Sequence, residues 1–421
     1  MTSSPALPVD RPATAPPSFH VLAKPSGPIC NLDCSYCFFL EKEALYPGDR
    51  FRMTDDVLHA YVRQVIESQL APEVTIAWQG GEPTLMGLDF FRRAVAYAEE
   101  CGGPHRTLHH TIQTNGTLLT DEWCEFLREK QFLVGISIDG PELLHDAYRV
   151  DKQGRPTYER VKVGLDRLTR AGVEWNVLCT VHAANQAVPV EVYRFFRDEL
   201  GAKFVQFIPI VERVTEGSDE LTDRSVDSVA WGEFLTAVFD EWVRHDVGEV
   251  FVQMFDAALA SWYGAPAALC IFAETCGNAV ALEHNGDLYS CDHFVDPDHL
   301  LGNITETHMV ELMASPQQRA FGNAKRDTLP TQCRECPVLF ACRGECPKNR
   351  VRMTAAGEPG LNELCEGYLH FFTHIDGVMR LMVDALRRGG HAGEVMETFA
   401  GAGRNDPCPC GSGRKAKHCH M

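Results

Sequence analysis

Apolar positions along the first 245 residues follow two periods, one typical of strands and one typical of helices. Six strand-like runs occur: HVLAK (20–24), VTIAW (74–78), LHHTIQT (108–114), FLVGISI (132–138), VEWNVLCTV (173–181) and KFVQFIPI (203–210). Segments of helical length and pattern lie at 54–69, 89–101, 120–130, 158–171, 188–200 and 227–244. A repeated strand-then-helix unit predicts a parallel sheet with helices outside it, as a doubly wound sheet or an incomplete (β/α) barrel.

The pattern changes on both sides of this region. The N-terminus is rich in Pro, Ser, Thr and Ala and has no periodicity, and eight cysteines lie among short segments between residues 270 and 365. The expected divisions are a disordered leader (1–18), the strand–helix region (19–245), a second domain held by metal (246–370), a C-terminal helix and linker (371–403) and a basic tail (404–421).

Composition and charge narrow the possible partners and the compartment. The chain has 421 residues and a formal net charge of −19, which disfavours binding to nucleic acid or to an anionic membrane surface. It contains no apolar run long enough to span a bilayer and no export signal, so a cytoplasmic location is expected. Because the cytosol keeps thiols reduced, the 17 cysteines are expected to bind metal rather than to form disulfides.

Three cysteines directly follow the first predicted strand. Cys30, Cys34 and Cys37 have a C-x3-C-x2-C spacing at the end of a barrel strand, where such folds place their chemistry. Three thiolates leave one iron of a [4Fe–4S] cluster open to a reactant, whereas a structural zinc site takes four ligands. The alternative is a zinc site with a distant fourth ligand.

This triplet resembles the signature of the radical S-adenosylmethionine (SAM) superfamily, and the resemblance covers about residues 19–245. It implies a partial (β/α)6 barrel rather than a doubly wound sheet. It also implies that the three cysteines hold a [4Fe–4S] cluster whose open iron binds SAM, and that one electron cleaves SAM to a 5′-deoxyadenosyl radical. Tyr36, between two of the cysteines, is expected to pack against the adenine.

Further cofactor contacts come from the ends of later strands. Gly80, Gly81 and Glu82 resemble the superfamily element that binds the amino group of SAM, although such a motif alone is usually a turn. The resemblance implies contacts to the ribose and carboxylate from Ser137 and Arg149, to the adenine from Ile210, and to the cofactor and target peptide from Gln79. The alternatives are an ion-paired Arg149 and a core position for Ile210.

The second cysteine array contains two complete sets of four thiols. Its spacing resembles the SPASM extension of radical enzymes that modify peptides, which implies two auxiliary [4Fe–4S] clusters and three clusters in all. In that family the sets interleave: Cys270, Cys276, Cys291 and Cys346 around one cluster, and Cys333, Cys336, Cys342 and Cys365 around the other. A pair of zinc ribbons is the alternative, since both metals accept four thiolates.

Within the SPASM group, residues 19–370 resemble the anaerobic sulfatase-maturating enzymes. The matching runs are LAKPSG (22–27), WQGGEPTL (78–85) and CDHFV (291–295). The resemblance implies oxidation of a Cys or Ser of a sulfatase polypeptide to Cα-formylglycine, with Asp292 as the base and a flavodoxin- or ferredoxin-type electron donor. Asp292 could instead orient the cluster loop. The alternative functions are another SPASM peptide maturase, which forms a thioether, crosslink or epimer, and an electron-transfer adaptor without catalysis.

The C-terminal tail has its own metal pattern. Cys408, Cys410, Cys419 and His420 form C-x-C-x8-C-H, a ligand set for a closed tetrahedral zinc site, with His418 as the other candidate for the fourth ligand. The segment resembles the SEC-C zinc motif. Its net charge of +3 on a chain of −19 fits either an adaptor for an acidic partner or a stabilising cap.

Overall fold

The computed structural model describes residues 10–104, 106–215, 218 and 220–420. Its strands are β1 (His20–Ala23), β2 (Glu73–Trp78), β3 (Thr107–Thr114), β4 (Phe132–Ser137), β5 (Glu174–Val181), β6 (Phe204–Pro209), β7 (Phe251–Val252), β8 (Ala279–Leu282), β9 (Asp287–Tyr289), β10 (Leu300–Asn303), β11 (Arg352–Met353) and β12 (Pro359–Leu361). Within the described residues the first ten strands form one sheet, in the order β10-β9-β8-β1-β2-β3-β4-β5-β6-β7, and β11 pairs with β12.

The strand order decides between the two predicted architectures. Strands β1 to β6 lie side by side in chain order, and each neighbouring pair is parallel. A doubly wound sheet reverses its strand order at one point, whereas a barrel does not. The predicted partial barrel is therefore confirmed, and each of the six predicted strands lies within one residue of its observed bounds.

The helices lie between and after the strands. They are α1 (Asp55–Ser68), α2 (Leu88–Gly102), α3 (Asp121–Glu129), α4 (Glu142–His145), α5 (Tyr158–Ala171), α6 (Pro189–Arg194), α7 (Ser228–His245), α8 (Gln253–Tyr263), α9 (Met309–Met313), α10 (Pro316–Asp327), α11 (Thr331–Arg334), α12 (Leu339–Cys342), α13 (Cys365–Arg387) and α14 (Glu394–Ala400). Side-chain caps fix several starts: Thr54 accepts from the amide of Val57, and Asp227 accepts from the amide of Val229. Helix α6 continues as a π-helical turn over Phe195–Glu199, so the predicted helix at 188–200 is present in two parts.

The sequence pattern missed the strands that continue the sheet beyond the barrel. Strand β8 pairs in parallel with β1, with Val280 opposite Val21, and β9 and β10 follow in antiparallel. These strands have only three or four residues, too few to show a period of two, and so they gave no strand signal. The cysteine-rich region after residue 246 therefore shares the barrel's sheet.

Two closely packed helices form the contact between the barrel and the C-terminal region. Helix α13 packs along α7, and a Cβ on Gly367 would lie 2.1 Å from the carbonyl oxygen of Ser228. Phe239 of α7 and Phe371 of α13 are fully buried beside each other, with ring centroids 6.3 Å apart. Only a residue without a side chain permits this approach, so the glycine fixes how the C-terminal helix lies on the barrel.

The predicted disordered leader falls partly outside the described residues, which begin at residue 10. The described part contacts the body: the Arg11 guanidinium donates to the carbonyl of Ser68 at 2.6 Å, and the Thr14 hydroxyl donates to the carbonyl of Ala314 at 3.1 Å. The disorder of residues 1–18 stays a prediction. Within the described residues, none of the helices combines the length and apolar character needed to cross a lipid bilayer.

Candidate active site

The first cysteine triplet lies in the loop after β1, at the carboxyl edge of the parallel strands. Backbone amides and a side chain hold this loop. The amide of Leu32 donates to Cys30 Sγ at 3.3 Å, Asn115 Nδ2 donates to the same sulfur at 3.6 Å, and the amide of Cys37 donates to the carbonyl of Cys34. The three cysteines thus lie together on one loop, as the spacing predicted.

The three thiols of this loop are partly buried. Burial raises the pKa of Cys30 to about 12 and that of Cys34 to about 11, and the neighbouring thiols add to the effect. Thiols with such pKa values are protonated at neutral pH when free. The positive charge of bound iron would keep them as thiolates, which is the state that ligates metal.

The turn after β2 supports the cysteine loop. Gly80 and Gly81 have φ values of +92° and +49°, and a Cβ on Gly81 would lie 2.3 Å from the carbonyl oxygen of Ile29. Because Ile29 directly precedes Cys30, this contact places the turn against the start of the loop. Cofactor binding by Gly80 and Gly81 stays a prediction.

Protein hydrogen bonds hold the Glu82 side chain in place. Its carboxylate is fully buried and accepts hydrogen bonds from the amide and hydroxyl of Thr84, the hydroxyl of Thr114 and the amide of Asn115, at 2.6 to 3.0 Å. Burial raises the pKa of Glu82 above its usual range. The side chain joins the end of β2 to the end of β3, so its predicted contact with the cofactor's ammonium would have to share these oxygens.

Arg149 is held by Asp139, an acidic residue to which the sequence analysis assigns no role. Arg149 donates to both oxygens of Asp139, at 2.8 and 3.1 Å, and the Tyr36 hydroxyl donates to Asp139 Oδ2 at 2.5 Å. The amide of Thr180 also donates to Asp139, at 2.9 Å. Arg149 is therefore ion-paired, as the alternative reading held, and Asp139 fixes Arg149 and Tyr36 beside the cysteine loop.

Replacing Asp139 by Ala is expected to destabilise the barrel, because it leaves the Arg149 guanidinium buried without a counter-ion. Breaking a buried pair in this way costs about 3–5 kcal/mol, which lowers the thermal midpoint of a chain of this length by about 3–6 °C. Scanning calorimetry of the anaerobically purified protein measures this shift. Asp89→Ala is the matched control, since Asp89 pairs with Arg92 on the surface, where a pair contributes about 1 kcal/mol at most. Equal shifts in the two variants would contradict the buried role.

The other predicted cofactor residues lie along the same edge of the sheet. Ser137 ends β4 and its hydroxyl accepts from Gln113 Nε2 at 3.0 Å, and buried Ile210 follows β6. Gln79 follows β2, and its amide donates to the carbonyl of Ala23 at 2.9 Å. Carboxyl ends of parallel barrel strands converge on one face, so these positions are compatible with one cofactor site. The individual contacts stay predictions.

The first set of auxiliary cysteines groups around Cys291. Burial, with smaller effects from Asp292 and from the nearby thiols of Cys270 and Cys276, raises the pKa of Cys291 to about 12. The pKa of Cys346 is also raised, first by burial, with Cys291 and Cys270 among the neighbouring charges. Although Cys346 is far along the chain from the other three, the fold brings it into their electrostatic range.

The second set groups around Cys365, at the start of α13. Burial raises the pKa of Cys365 to about 11, and Cys333 and Cys336 contribute. Burial raises the pKa of Cys342 to about 12, with Cys365 and Cys333 among its neighbours. This grouping agrees with the interleaved sets that the resemblance implied, which stay a prediction.

Asp292 forms a buried ion pair with Lys24 that the sequence analysis did not predict. Lys24 Nζ lies 2.6 Å from Asp292 Oδ1 and 3.3 Å from Glu283 Oε1, and Lys24 has no exposed surface. Burial alone would raise the pKa of Asp292, but the Lys24 ammonium outweighs it and holds that pKa below its usual range. Asp292 is therefore a carboxylate at neutral pH, next to Cys291.

The sheet explains why Lys24 and Glu283 meet. Lys24 directly follows β1 and Glu283 directly follows β8, and these parallel strands pair Ala23 with Leu282. A lysine at the end of an apolar strand was a visible signal in the sequence. Its partner was not, because β8 gave no strand pattern.

Comparison with known proteins agrees with this geometry. Family models match the Radical SAM superfamily at 25–196, the SPASM iron-sulfur cluster-binding domain at 270–337 and the SEC-C motif at 404–421. A serine-type anaerobic sulfatase-maturating enzyme of Bacteroides thetaiotaomicron is 45% identical over 394 residues, which cover 90% of this chain and 95% of the relative. The chain belongs to the anaerobic sulfatase-maturating enzymes. A cysteine-type member from Clostridium perfringens is 30% identical over 364 residues, covering 85% of this chain and 96% of that relative.

A solved structure extends the likeness to the three-dimensional fold. Native anSMEcpe with bound AdoMet and Cp18Cys peptide is 29% identical and superposes with a TM-score of 0.78, covering 88% of this chain and 100% of that chain. As an anaerobic sulfatase-maturating enzyme, the protein is a radical SAM enzyme with SAM and iron–sulfur clusters as cofactors. The family, the enzyme class and the fold predicted from the cysteine spacings are confirmed.

The tail of this sulfatase-maturating enzyme brings its four predicted ligands together. Ligand atoms of Cys408, Cys410, Cys419 and His420 all lie within 4.8 Å of one another. His420 is fully buried, whereas His418 is exposed, so the geometry favours His420 as the fourth ligand. Three thiols and one imidazole fit a tetrahedral zinc ion.

Proposed function

We propose that the protein oxidises one serine or cysteine side chain of a sulfatase polypeptide to Cα-formylglycine, and that serine is its preferred target. Buried, ionised Asp292, next to the predicted cluster ligand Cys291, carries the proposal, because it offers a proton acceptor beside an electron acceptor. The serine preference is supported by the higher identity to the serine-type relative, 45% against 30% for the cysteine-type one.

One group of residues would generate the radical, and another would complete the oxidation. Cys30, Cys34 and Cys37 would hold the first cluster, which with bound SAM supplies the 5′-deoxyadenosyl radical. The target Cβ would lose one hydrogen atom to that radical. The remaining carbon radical would then lose its hydroxyl proton to Asp292 and one electron to the cluster that Cys291 would help to hold, and the product is the aldehyde. In total, two protons and two electrons leave the serine side chain.

Asp292 would accept the hydroxyl proton. A carboxylate whose pKa is below its usual range is a weak base, but it is fully deprotonated and ready to accept. Proton loss that accompanies electron loss does not need a strong base. Lys24 keeps this mostly buried carboxylate ionised.

The cofactor set we propose is SAM, three [4Fe–4S] clusters and one zinc ion in the tail. The grouping of the eight auxiliary thiols supports two further clusters, and the four close ligand atoms of the tail support zinc. The family resemblance adds a flavodoxin- or ferredoxin-type electron donor. A cytoplasmic location completes the proposal, because 17 cysteines in metal-binding spacings fit a compartment that keeps thiols reduced.

Two peptides that differ only at the target residue test the proposal. The reconstituted enzyme is given SAM, a reductant and a sulfatase-motif peptide with either Ser or Cys at the target, and peptide mass is followed together with 5′-deoxyadenosine. We expect aldehyde from both peptides and a higher kcat/KM for serine. Formation of 5′-deoxyadenosine with both peptides unchanged would overturn the sulfatase assignment and favour another peptide maturase.

A further inference from the structure

The zinc tail is docked on the catalytic body. Gly377 of α13 lies against the tail so closely that a Cβ there would be 2.0 Å from the carbonyl oxygen of Cys410. His420 is fully buried, its ring 4.1 Å from that of His374 on α13 and 6.3 Å from that of Phe239 on α7. The last turn of the tail therefore lies between two helices of the body.

One carboxylate of the barrel joins the tail to both helices. Asp240 Oδ1 on α7 accepts hydrogen bonds from His420 Nδ1 and from His374 Nε2, each at 2.7 Å. With Nδ1 donating to Asp240, the lone pair of His420 must lie on Nε2. That atom is buried and has no hydrogen-bond partner within the described residues.

The free nitrogen points to a metal. His420 belongs with Cys408, Cys410 and Cys419 to one group of close ligand atoms, and the sulfurs of Cys410 and Cys419 are 3.5 Å apart. Sulfurs around a tetrahedral zinc ion with Zn–S bonds of 2.3 Å are about 3.8 Å apart. An imidazole that donates one nitrogen to a carboxylate and gives the other to zinc is a recurring arrangement in zinc sites.

We propose that Asp240 and His374 are positioning residues for the tail's zinc, so that zinc binding fastens the tail across α7 and α13. We call residues 404–420 together with Asp240 and His374 the zinc clasp. This inference rests on the zinc proposed above. It assigns the tail a stabilising role within this chain and not a role as a free adaptor.

Helix α13 connects the zinc clasp to the domain of the auxiliary clusters. The helix begins at Cys365, a predicted auxiliary-cluster ligand, and His374 lies nine residues along it, about 13 Å away. Helix α7 belongs to the barrel. By holding α13 against α7, the clasp secures the contact between the radical-generating barrel and the domain that carries the auxiliary clusters.

Asp240→Asn in the full-length, reconstituted enzyme tests the clasp through zinc rather than through activity. The amide is a poorer acceptor for two imidazole N–H groups, so zinc affinity measured by competition with a chromogenic chelator is expected to fall about 10- to 100-fold. Asp376→Asn is the matched control. Asp376 also lies on α13, but it contacts Trp262 and Arg380. The zinc affinity of the Asp376→Asn variant is expected to equal that of the unchanged enzyme.

Cys408→Ser provides a second readout if the Asp240 variant does not fold. It removes a zinc ligand, and we expect a lower thermal midpoint and faster proteolysis of the tail, with iron content unchanged. An unchanged midpoint in Cys408→Ser, or unchanged zinc affinity in Asp240→Asn, would overturn the clasp. If the unchanged enzyme bound no zinc, the zinc proposal itself would fall, while the sulfatase assignment would be unaffected.

Discussion

Replacing Lys24 by Met is expected to lower peptide oxidation by about 10²- to 10⁴-fold while 5′-deoxyadenosine is still formed. Lys24 is the counter-ion of two buried carboxylates, Asp292 and Glu283. Without it, the two mostly buried negative charges repel each other, and Asp292 is either displaced or protonated. A protonated or misplaced Asp292 cannot take the hydroxyl proton, so the radical forms but the oxidation stops.

Lys42→Met is the matched control for Lys24. Lys42 is half-buried near the site, and within the described residues its ammonium donates only to the backbone carbonyl of Asp292, at 3.2 Å. We expect less than about a tenfold loss, since the carboxylate keeps its counter-ion. Steady-state assays of peptide aldehyde and 5′-deoxyadenosine compare the two variants. Equal losses, or an active Lys24→Met enzyme, would exclude the proposed role of the ion pair.

Asp292→Asn extends this test to the pair as a unit. If Lys24 acts only through Asp292, the double variant Lys24→Met/Asp292→Asn is expected to be no slower than Asp292→Asn alone. Multiplicative losses would show that Lys24 acts separately, for example on the peptide.

Replacing Cys34 by Ala is expected to abolish both products. Two thiolates on the loop cannot hold a [4Fe–4S] cluster that keeps one iron open for SAM, so no radical can form. The iron and sulfide content is expected to fall by one cluster, and the peptide to be recovered unchanged. Iron analysis and electron paramagnetic resonance of the reduced protein measure the loss.

Cys124→Ala is the control for a cysteine outside the arrays. Cys124 is buried within α3, where it packs as a small apolar residue. Iron content and product formation are expected to match those of the unchanged enzyme. Retained SAM cleavage in Cys34→Ala would contradict the assignment of the triplet.

The sequence predicted what depends on local pattern and spacing. The six barrel strands follow from apolar runs, and the family follows from the spacings of Cys30, Cys34, Cys37 and the later array. The triplet is local because Cys30, Cys34 and Cys37 lie on one short loop, and the later array is recognised by the spacings between its cysteines. The sequential strand order then required only the usual right-handed crossovers.

Contacts between distant segments could not be predicted in this way. Glu283 meets Lys24 only because short β8 adds to the sheet beside β1, and Asp240 meets His420 only because the tail returns to α7. Asp139 lies two residues after Ser137 in the sequence, yet its bond to Arg149 depends on the path of the loop between them. In each case, a charged side chain acquires its role from a partner that the local pattern does not reveal.

Asp292 shows how such a partner changes a chemical interpretation. The sequence placed it beside a cluster ligand and left open whether it acts as the base or orients the loop. The structure adds burial and a lysine with opposite effects on its pKa, and the lysine dominates. Asp292 is thus an ionised, weak proton acceptor, which suits an oxidation in which electron and proton leave together.

Transfer of deuterium from the target side chain is the most direct test of the proposed reaction. A sulfatase-motif peptide with deuterium at both Cβ positions of its serine is incubated with the reconstituted enzyme and SAM, and the 5′-deoxyadenosine and peptide are analysed by mass spectrometry. We expect one deuterium in each 5′-deoxyadenosine and one retained on the peptide aldehyde. Unlabelled 5′-deoxyadenosine, or a peptide that keeps both deuterium atoms, would contradict the account.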